Sequence, residues 1–318
     1  MKCSNIILLL LLISLLVALC LINNRYEVFA LNFPKGGEKE EGSIRVMTYN
    51  INATLGSNDP TVILSEIIDA VEKHNPDIVC FQELSPTVFP IINSSLDSLF
   101  GYSDSMSIKK EPLRYWLYSK KPIRKFSRYK CMTEIDTIGY DSITKVAVVQ
   151  LKRQMPVYSA EIEIEPDKWI TVFACHLRSS AYSTARRSMD KDASWMDGLP
   201  LYYKNYKLGQ KLRNWEADNL RLHLDSLEAA DTPVIIAGDF NDWSGSYCMN
   251  TIRDGKYKDA WWEGGLGLGI TYDEWHLKLR LDHILYSHHF KLENVYVEKS
   301  KFSDHRPLIA DFTLIAPH

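Results

Sequence analysis

Residues Val234-Ile235-Ile236-Ala237-Gly238-Asp239-Phe240-Asn241-Asp242 decide how the rest of the chain is read. Four apolar residues in a row suit a strand buried on both faces. The run then reaches a glycine and ends in a carboxylate, an amide and a second carboxylate. Gly238 permits a close approach of backbone, and Asp239 and Asn241, two apart, point the same way in extended chain. A buried strand that delivers two oxygen-bearing groups to one spot marks a site rather than a packing accident.

The same design, an apolar run joined to a polar tip, recurs along the chain. Val46-Met47-Thr48-Tyr49 ends in Asn50-Ile51-Asn52, Ile78-Val79-Cys80-Phe81 in Gln82-Glu83, and Val172-Phe173-Ala174-Cys175 in His176. Asp282-His283 opens a fifth strand, and Ser303-Asp304-His305-Arg306-Pro307 precedes the last, Leu308 to Leu314. Together these tips offer many oxygens and two imidazoles. A hard cation such as Mg²⁺ suits that set, because it takes few protein carboxylates and keeps waters that a phosphate can replace. Zinc wants more His or Cys near one point.

Working outward, strands are expected at Ile44–Tyr49, Asp77–Phe81, Leu117–Ser119, Lys145–Leu151, Trp169–Ala174, Val234–Ala237, Leu281–Tyr286 and Leu308–Leu314. Helices are expected at Thr61–His74, where Val62, Ile63, Ile67, Ile68 and Val71 share a side, and at Tyr206–Glu228. Strand-rich halves with helices between them predict an α/β sandwich of two sheets. No change of composition divides residues 43–318, so they read as one domain. Residues 31–42, rich in Gly, Lys and Glu, read as a mobile linker.

Residues 6–22 contain no charge, a length at the lower edge for a spanning helix and long for a signal-peptide core. Val28-Phe29-Ala30 offers a small-residue cleavage site, so residues 1–30 fit either a cleaved signal peptide or an N-terminal membrane anchor. Cys20 follows Val-Ala-Leu, a poor lipidation signal. Either reading places the remainder outside the cytoplasm. The formal net charge of the whole chain is −3, which provides no strong basic field for polyanions, and no aromatic-basic stripe stands out. Six cysteines without CxxC spacing imply neither a zinc site nor a disulfide framework. Cys80 and Cys175 sit in apolar runs and read as buried thiols.

Taken in order, these tips resemble the endonuclease/exonuclease/phosphatase superfamily, which includes pancreatic-type deoxyribonuclease, abasic-site endonucleases, bacterial sphingomyelinases and inositol-polyphosphate phosphatases. The resemblance runs from about Ile44 to Phe312. It implies a four-layered α/β sandwich of two packed mixed sheets flanked by helices, with the site at one rim. It implies Mg²⁺, or Mn²⁺, held by Asn50, Glu83 and Asp304. Asp239 would orient or deprotonate the attacking water, and Asn241 would hydrogen-bond phosphoryl oxygens. His176 and His305 would flank the scissile phosphate, with Asp282 holding His305. Each has a plainer reading: Asn50 as a turn residue, Glu83 as a cap, His176 as a satisfied core histidine, Asp282 and Asp304 as salt-bridge partners. Six motifs in order outweigh those alternatives.

Departures from the family pattern lie in the loops. Arg114-Tyr115-Trp116 is bulky where many members are small. The segment from His176 to the long helix is extended, and Arg178 and Arg187 are candidates to clamp a second phosphate or a headgroup. Trp261-Trp262 reads as core cover ahead of a pair that dips into a membrane surface, and Gly264 to Gly269 as a flexible loop beside the site. His283, His288 and His289 read as structural or exposed. The expected partner is a phosphoester, nucleic acid ahead of phospholipid or inositol phosphate, acted on by a monomer, with membrane association through residues 6–22. A non-catalytic binding module is the remote alternative.

Overall fold

The computed structural model describes residues 3–32, 38–52, 60–84, 89–103, 114–131, 155–180, 199–274, 277–300 and 303–315. The chain begins with helix α1 (Cys3–Tyr26), strand β1 (Ala30–Leu31), β2 (Ile44–Asn50), α2 (Pro60–His74), β3 (Ile78–Leu84) and α3 (Phe89–Phe100). Strands β4 (Tyr102–Ser103), β5 (Arg114–Ser119), β6 (Ile123–Cys131), β7 (Met155–Glu165) and β8 (Lys168–His176) follow. Next come α4 (Leu199–Ala229), β9 (Val234–Asp239), α5 (Tyr247–Arg253), β10 (Lys258–Asp259), α6 (Ala260–Gly264) and β11 (Leu266–Gly267). The last strands are β12 (Tyr272–Glu274), β13 (Leu277–Leu279), β14 (Asp282–Tyr286), β15 (Phe290–Val297) and β16 (Leu308–Leu314).

Two six-stranded sheets carry the fold, one in the order β15-β16-β2-β3-β5-β4 and the other β10-β14-β9-β8-β7-β6. Each is mixed: β2 runs parallel to β3 and β8 parallel to β9, while their outer neighbours run antiparallel. Strand periodicity of two then sorts the side chains into layers. Val46, Cys80, Ala174, Ile235, Ala237 and Ala310 meet in the cluster between the sheets. Met47, Tyr49, Val79 and Phe81 face the other way, onto Ile67 and Val71 of α2 and Leu96 and Phe100 of α3. Phe173, Cys175, Val234 and Ile236 face Ala217, Leu220 and Leu224 of α4 and Met249 of α5. The four expected layers are present, and each fully buried aliphatic side chain in them contributes about 1.5–3 kcal/mol.

This sorting positions the site. On β2 the inward positions read Val46, Thr48, Asn50, and on β9 they read Ile235, Ala237, Asp239. At the rim the two sheets stop meeting apolar with apolar, and the last inward residue of each central strand is polar. Register brings the tips together, since His176 pairs with Asp239 across β8–β9 and Asp282 pairs with Asp239 across β14–β9.

Several expectations need correction. The long helix begins at Leu199, not Tyr206, because Pro200 in its first turn has no N–H that the helix requires. β5 starts at Arg114, three residues before the expected Leu117. The strand expected at Lys145–Leu151 lies outside the described residues. The linker is docked where it is described: Ala30–Leu31 pairs with Leu266–Gly267, Asn32 donates to the carbonyl of Trp262, and Lys39 meets Asp77 at 2.6 Å. That pairing also holds the glycine-rich stretch, which was expected to be flexible. At Gly269, φ is +62° and a Cβ would lie 2.4 Å from the Trp261 ring, so the stretch lies flat on that buried indole. Among the described residues, in which the side chains of α1 begin at Leu12, no helix is long and apolar enough to cross a membrane.

Gly238 is where β8 and β9 come closest. A Cβ there would stand 1.9 Å from the carbonyl oxygen of Cys175, so only glycine lets the strands pair at the point where His176 and Asp239 emerge. Gly238→Ala should therefore cost roughly 1–3 kcal/mol or more by overpacking. A urea-unfolding midpoint equal to that of the natural protein would show that this close approach does not exist.

Candidate active site

Asp239 is the hub. It is 1% exposed, at the end of β9. Its Oδ1 accepts the backbone N–H of Asn241 at 2.8 Å, and its Oδ2 accepts the Asn50 amide at 2.9 Å. Two imidazoles flank that second oxygen, His176 Nε2 at 3.6 Å and His305 Nε2 at 3.7 Å. His305 is held on its far side by Asp282 Oδ2, 2.7 Å from Nδ1, and the Tyr272 ring packs against it in a T-shaped arrangement, centres 5.0 Å apart.

Glu83 reaches the same point by an irregularity. Two residues after Phe81, it would face α2 and α3 in a regular strand. Instead the β3–β5 register shifts between Phe81 and Leu84, and Glu83 adopts φ +57°. Such a bulge re-aims a side chain: Glu83 Oε1 accepts from the Asn50 amide at 3.2 Å and lies 3.7 Å from His176 Nε2. Asn50 thus bridges the sheets, donating to a carboxylate of each. Asp304 is drawn in through Asn52, whose amide donates to it at 2.8 Å.

Burial and charge then give two histidines opposite characters. Burial lowers the pKa of His176, with the Asp239 charge opposing and those of His305 and Arg178 assisting. Burial acts against the charge of His305 too, but Asp282 and Asp239 outweigh it and raise its pKa to about 10. Asp239 is raised by burial, against the pull of His305 and with the repulsion of Asp282. Asp304 is raised by burial. At neutral pH one imidazole is neutral and the other charged, and such divergence is what separates acid and base roles.

Four carboxylates (Glu83, Asp239, Asp282, Asp304) face two imidazoles, so negative charge exceeds positive whatever the imidazoles bind. Asp282 Oδ1 is buried and, among the described residues, makes no hydrogen bond. Asp239, Asp282 and His305 present ligand atoms within 4.8 Å of one another. An oxygen-rich, over-negative rim of this kind fits a divalent cation.

All eight residues singled out for the reaction centre converge here: Asn50, Glu83, His176, Asp239, Asn241, Asp282, Asp304 and His305. Asn241 arrives differently from the alternation argument. It leaves the strand with φ +52°, donates its side-chain amide to Leu177 O at 3.0 Å, and fixes Asp239 through its backbone. Arg178 lies two residues beyond His176, with its N–H on Glu216 Oε2 at 2.8 Å. Arg187 lies outside the described residues. His283 is structural, its ring between Asp259 Oδ2 and the carbonyl of Asp242.

Sequence reasoning missed the groups that hold this set. Thr271 Oγ1 accepts the N–H of both Leu281 and Asp282 at 3.0 Å; no local motif marks it. Arg213 and Glu216 are buried on the inner face of α4, Arg213 on Asp242 at 3.0 Å and on Ser180 at 2.9 Å. Burial pushes Glu216 up to about 7. Charges on an otherwise apolar helix stripe were the available signal.

A doubly sheeted α/β sandwich with an acidic, histidine-bearing rim defines a class of phosphoester-cleaving folds. The chain belongs to the Endonuclease/Exonuclease/phosphatase family, whose model matches residues 47–305. No curated protein sequence matches it. Among solved structures it is similar to the human Nocturnin catalytic domain with bound sulfate, at 18% identity and TM-score 0.59, over 89% of this chain and 99% of that one. TDP2 from Caenorhabditis elegans matches at 18% identity and TM-score 0.56, over 87% and 76%. ANGEL2, a 2′,3′-cyclic phosphatase in complex with adenosine-2′,3′-vanadate, matches at 16% identity and TM-score 0.60, over 87% and 97%.

The raised pKa of His305 has a consequence for stability. Its charged form contributes stability that is fully present below the ordinary value near 6.5 and is lost as pH rises through about 10. Asp282→Asn removes the strongest attraction. The NMR titration midpoint of the His305 ring should fall toward 6.5, and the loss of stability should move to lower pH with it. A midpoint that stays near 10 in this variant would contradict the pairing.

Proposed function

We propose that this chain is a Mg²⁺-dependent phosphodiesterase that cuts nucleic-acid strands outside the cytoplasm. The single observation that supports the reaction is Asp239 seated between a neutral and a charged imidazole. In this reading Asp239, its Oδ1 fixed by Asn241, orients a water and takes its proton as the new P–O bond forms. His305, charged and held by Asp282, gives a proton to the departing ester oxygen. His176, neutral, hydrogen-bonds a nonbridging oxygen. Phosphoryl transfer needs mainly such positioning and neutralisation of charge. Glu83, Asn50 and Asp304 are the residues that would hold the cation, which when bound supplies charge neutralisation at the phosphoryl oxygens. Every group comes from one chain, so a monomer suffices.

Substrate class is read from α4. Because the helix begins at Leu199, Tyr203, Lys207, Lys211 and Trp215 fall four apart and share a face. This is the aromatic-basic stripe that a helix starting at Tyr206 conceals. The Lys207 ammonium lies 5.7 Å from the Tyr203 ring centre, and that of Lys211 lies 5.1 Å from Trp215. A groove of about 410 Å³ runs along it, lined by Lys207, Lys211 and Trp215 of the stripe and by Gln210, Asn214 and Tyr247, with one acid, Asp218, held by the Tyr247 hydroxyl at 3.0 Å. Residues 199–215 contain three lysines and an arginine and no acid. Stacking faces interleaved with cations are what unpaired nucleic acid uses. On the inner side of the same helix, Arg213 donates to the carbonyl of Arg178 at 2.8 Å, two residues from His176. ANGEL2, of similar fold, takes a nucleotide analogue. The uncharged residues 6–22 support export or anchoring, and Tyr26 packs on Trp243 at 5.4 Å, so an anchor would hold the domain close to its membrane.

Asp239→Asn should lower Mg²⁺-dependent hydrolysis of bis-p-nitrophenyl phosphate by about 10²–10⁴-fold with an unchanged circular-dichroism spectrum; full activity in that variant would sink the reaction. Lys207→Glu with Lys211→Glu should raise KM for single-stranded DNA or RNA at least ~10-fold, since each stacked base contributes about 1–3 kcal/mol and each lysine a phosphate contact. The small ester should be cut as before. Cleavage of sphingomyelin or inositol phosphates with DNA and RNA left intact would overturn the substrate.

A further inference from the structure

Strands β9 and β14 carry Asp239 and Asp282 at one end and a second cluster at the other. Asp231, in the turn between α4 and β9, has φ +51° and is held by its N–H on Glu228 O at 3.0 Å. His288 and His289 lie in the turn between β14 and β15. The two turns are sewn together by Ser287, whose N–H donates to Val234 O and whose Oγ accepts from Val234 N, both at 3.0 Å. Asp231 Oδ1 lies 3.2 Å from His289 Nε2 and 3.5 Å from His288 Nε2, and the two imidazole centres are 4.0 Å apart. Ligand atoms of all three fall within 4.8 Å of one another.

We propose that Asp231, His288 and His289 form a second metal site, selective for Zn²⁺ or a similar borderline cation, that clips the two turns together. Two features separate it from a surface ion pair. His289 Nε2 is buried and faces Asp231 Oδ1 at 3.2 Å without the alignment of a hydrogen bond. Its other ring nitrogen stands 3.0 Å from Ser287 Oγ. With Nδ1–H donating to that hydroxyl, the Nε2 lone pair faces Asp231 and His288, the orientation that a hydrogen-bonded ring nitrogen imposes on ligating histidines.

The donor set differs from that of the reaction centre. Two imidazoles and one carboxylate favour Zn²⁺, whereas an oxygen-dominated set favours Mg²⁺. Asp231 and His288 are exposed, so they can close from 3.5 Å to ligand spacing without disturbing the core and leave a fourth position to water. Because the site ties the end of α4 to the turn through which the chain passes from β14 in one sheet to β15 in the other, its occupation stabilises the fold in proportion to affinity and free metal.

The test uses the full chain stripped with EDTA and titrated with ZnCl₂ by calorimetry, with thermal melting alongside. With the reaction centre kept filled by excess Mg²⁺, one equivalent of Zn²⁺ should bind the natural protein and raise its Tm. The same equivalent should remain in Asp239→Asn, which alters the reaction centre. It should weaken at least ~10-fold in His288→Ala, whose exposed side chain the fold does not need, and in Asp231→Ala. Hydrolysis of bis-p-nitrophenyl phosphate with Mg²⁺ should be unchanged in His288→Ala. Zn²⁺ binding that survives His288→Ala and Asp231→Ala, or that vanishes in Asp239→Asn, overturns the proposal, as does absence of binding to the natural protein at 100 µM Zn²⁺, roughly the concentration at which a useful clip must be filled.

Discussion

A carboxylate with 1% exposure at the seam of two sheets governs this molecule. Left alone, the charge of Asp239 would be expensive to desolvate. The fold offsets part of that cost from both sheets, with an amide from β2, a backbone N–H from the turn after β9, and an imidazole held by Asp282. The same contacts aim the carboxylate into the rim. Stabilising the buried charge and building the reaction centre are therefore one arrangement.

Beneath that rim lies a layer of buried ion pairs. Asp259 receives Arg280 and His283 at 2.8 Å, which together hold its carboxyl far below the ordinary range. Arg213 meets Asp242, and Arg45 meets Asp311 through two hydrogen bonds of 2.7 and 2.8 Å. Pairs of this kind add little net stability over apolar packing, yet losing one partner costs about 3–5 kcal/mol. Their effect is to specify. Asp242 and His283, each adjacent in sequence to a reaction-centre residue, are locked from behind, so Asn241 and Asp282 have one orientation available. Glu27, just beyond α1, joins this layer through Arg253 and Arg280.

The strands and their polar tips were legible because burial on both faces leaves an unambiguous apolar run, and a polar residue at its end has few uses. Asn50, His176, Asp239 and Asp282 follow directly from that logic and from a period of two. Glu83 and Asn241 were legible as residues but not as directions, since each takes a left-handed φ that strand alternation does not anticipate. The start of α4 lies at Leu199 rather than the expected Tyr206, and Pro200 is compatible with a first turn, whose N–H groups have no partner within the helix. The docking of residues 30–32 and 39 depends on partners more than 30 positions away, which no local pattern announces.

By itself the sequence determined the chemical inventory and its order: which strands end in carboxylate, amide or imidazole, and hence the family of reactions open to the chain. Tertiary structure alone decided what each group became. His176 and His305 are the same residue at two strand ends, indistinguishable by composition. One stands with Asp282 at 2.7 Å and is charged; the other is buried with weaker compensation and is neutral. Electrostatic energy in a buried site depends on separations of a few ångströms and on how much water is excluded. Both quantities arise only when the two sheets close on each other.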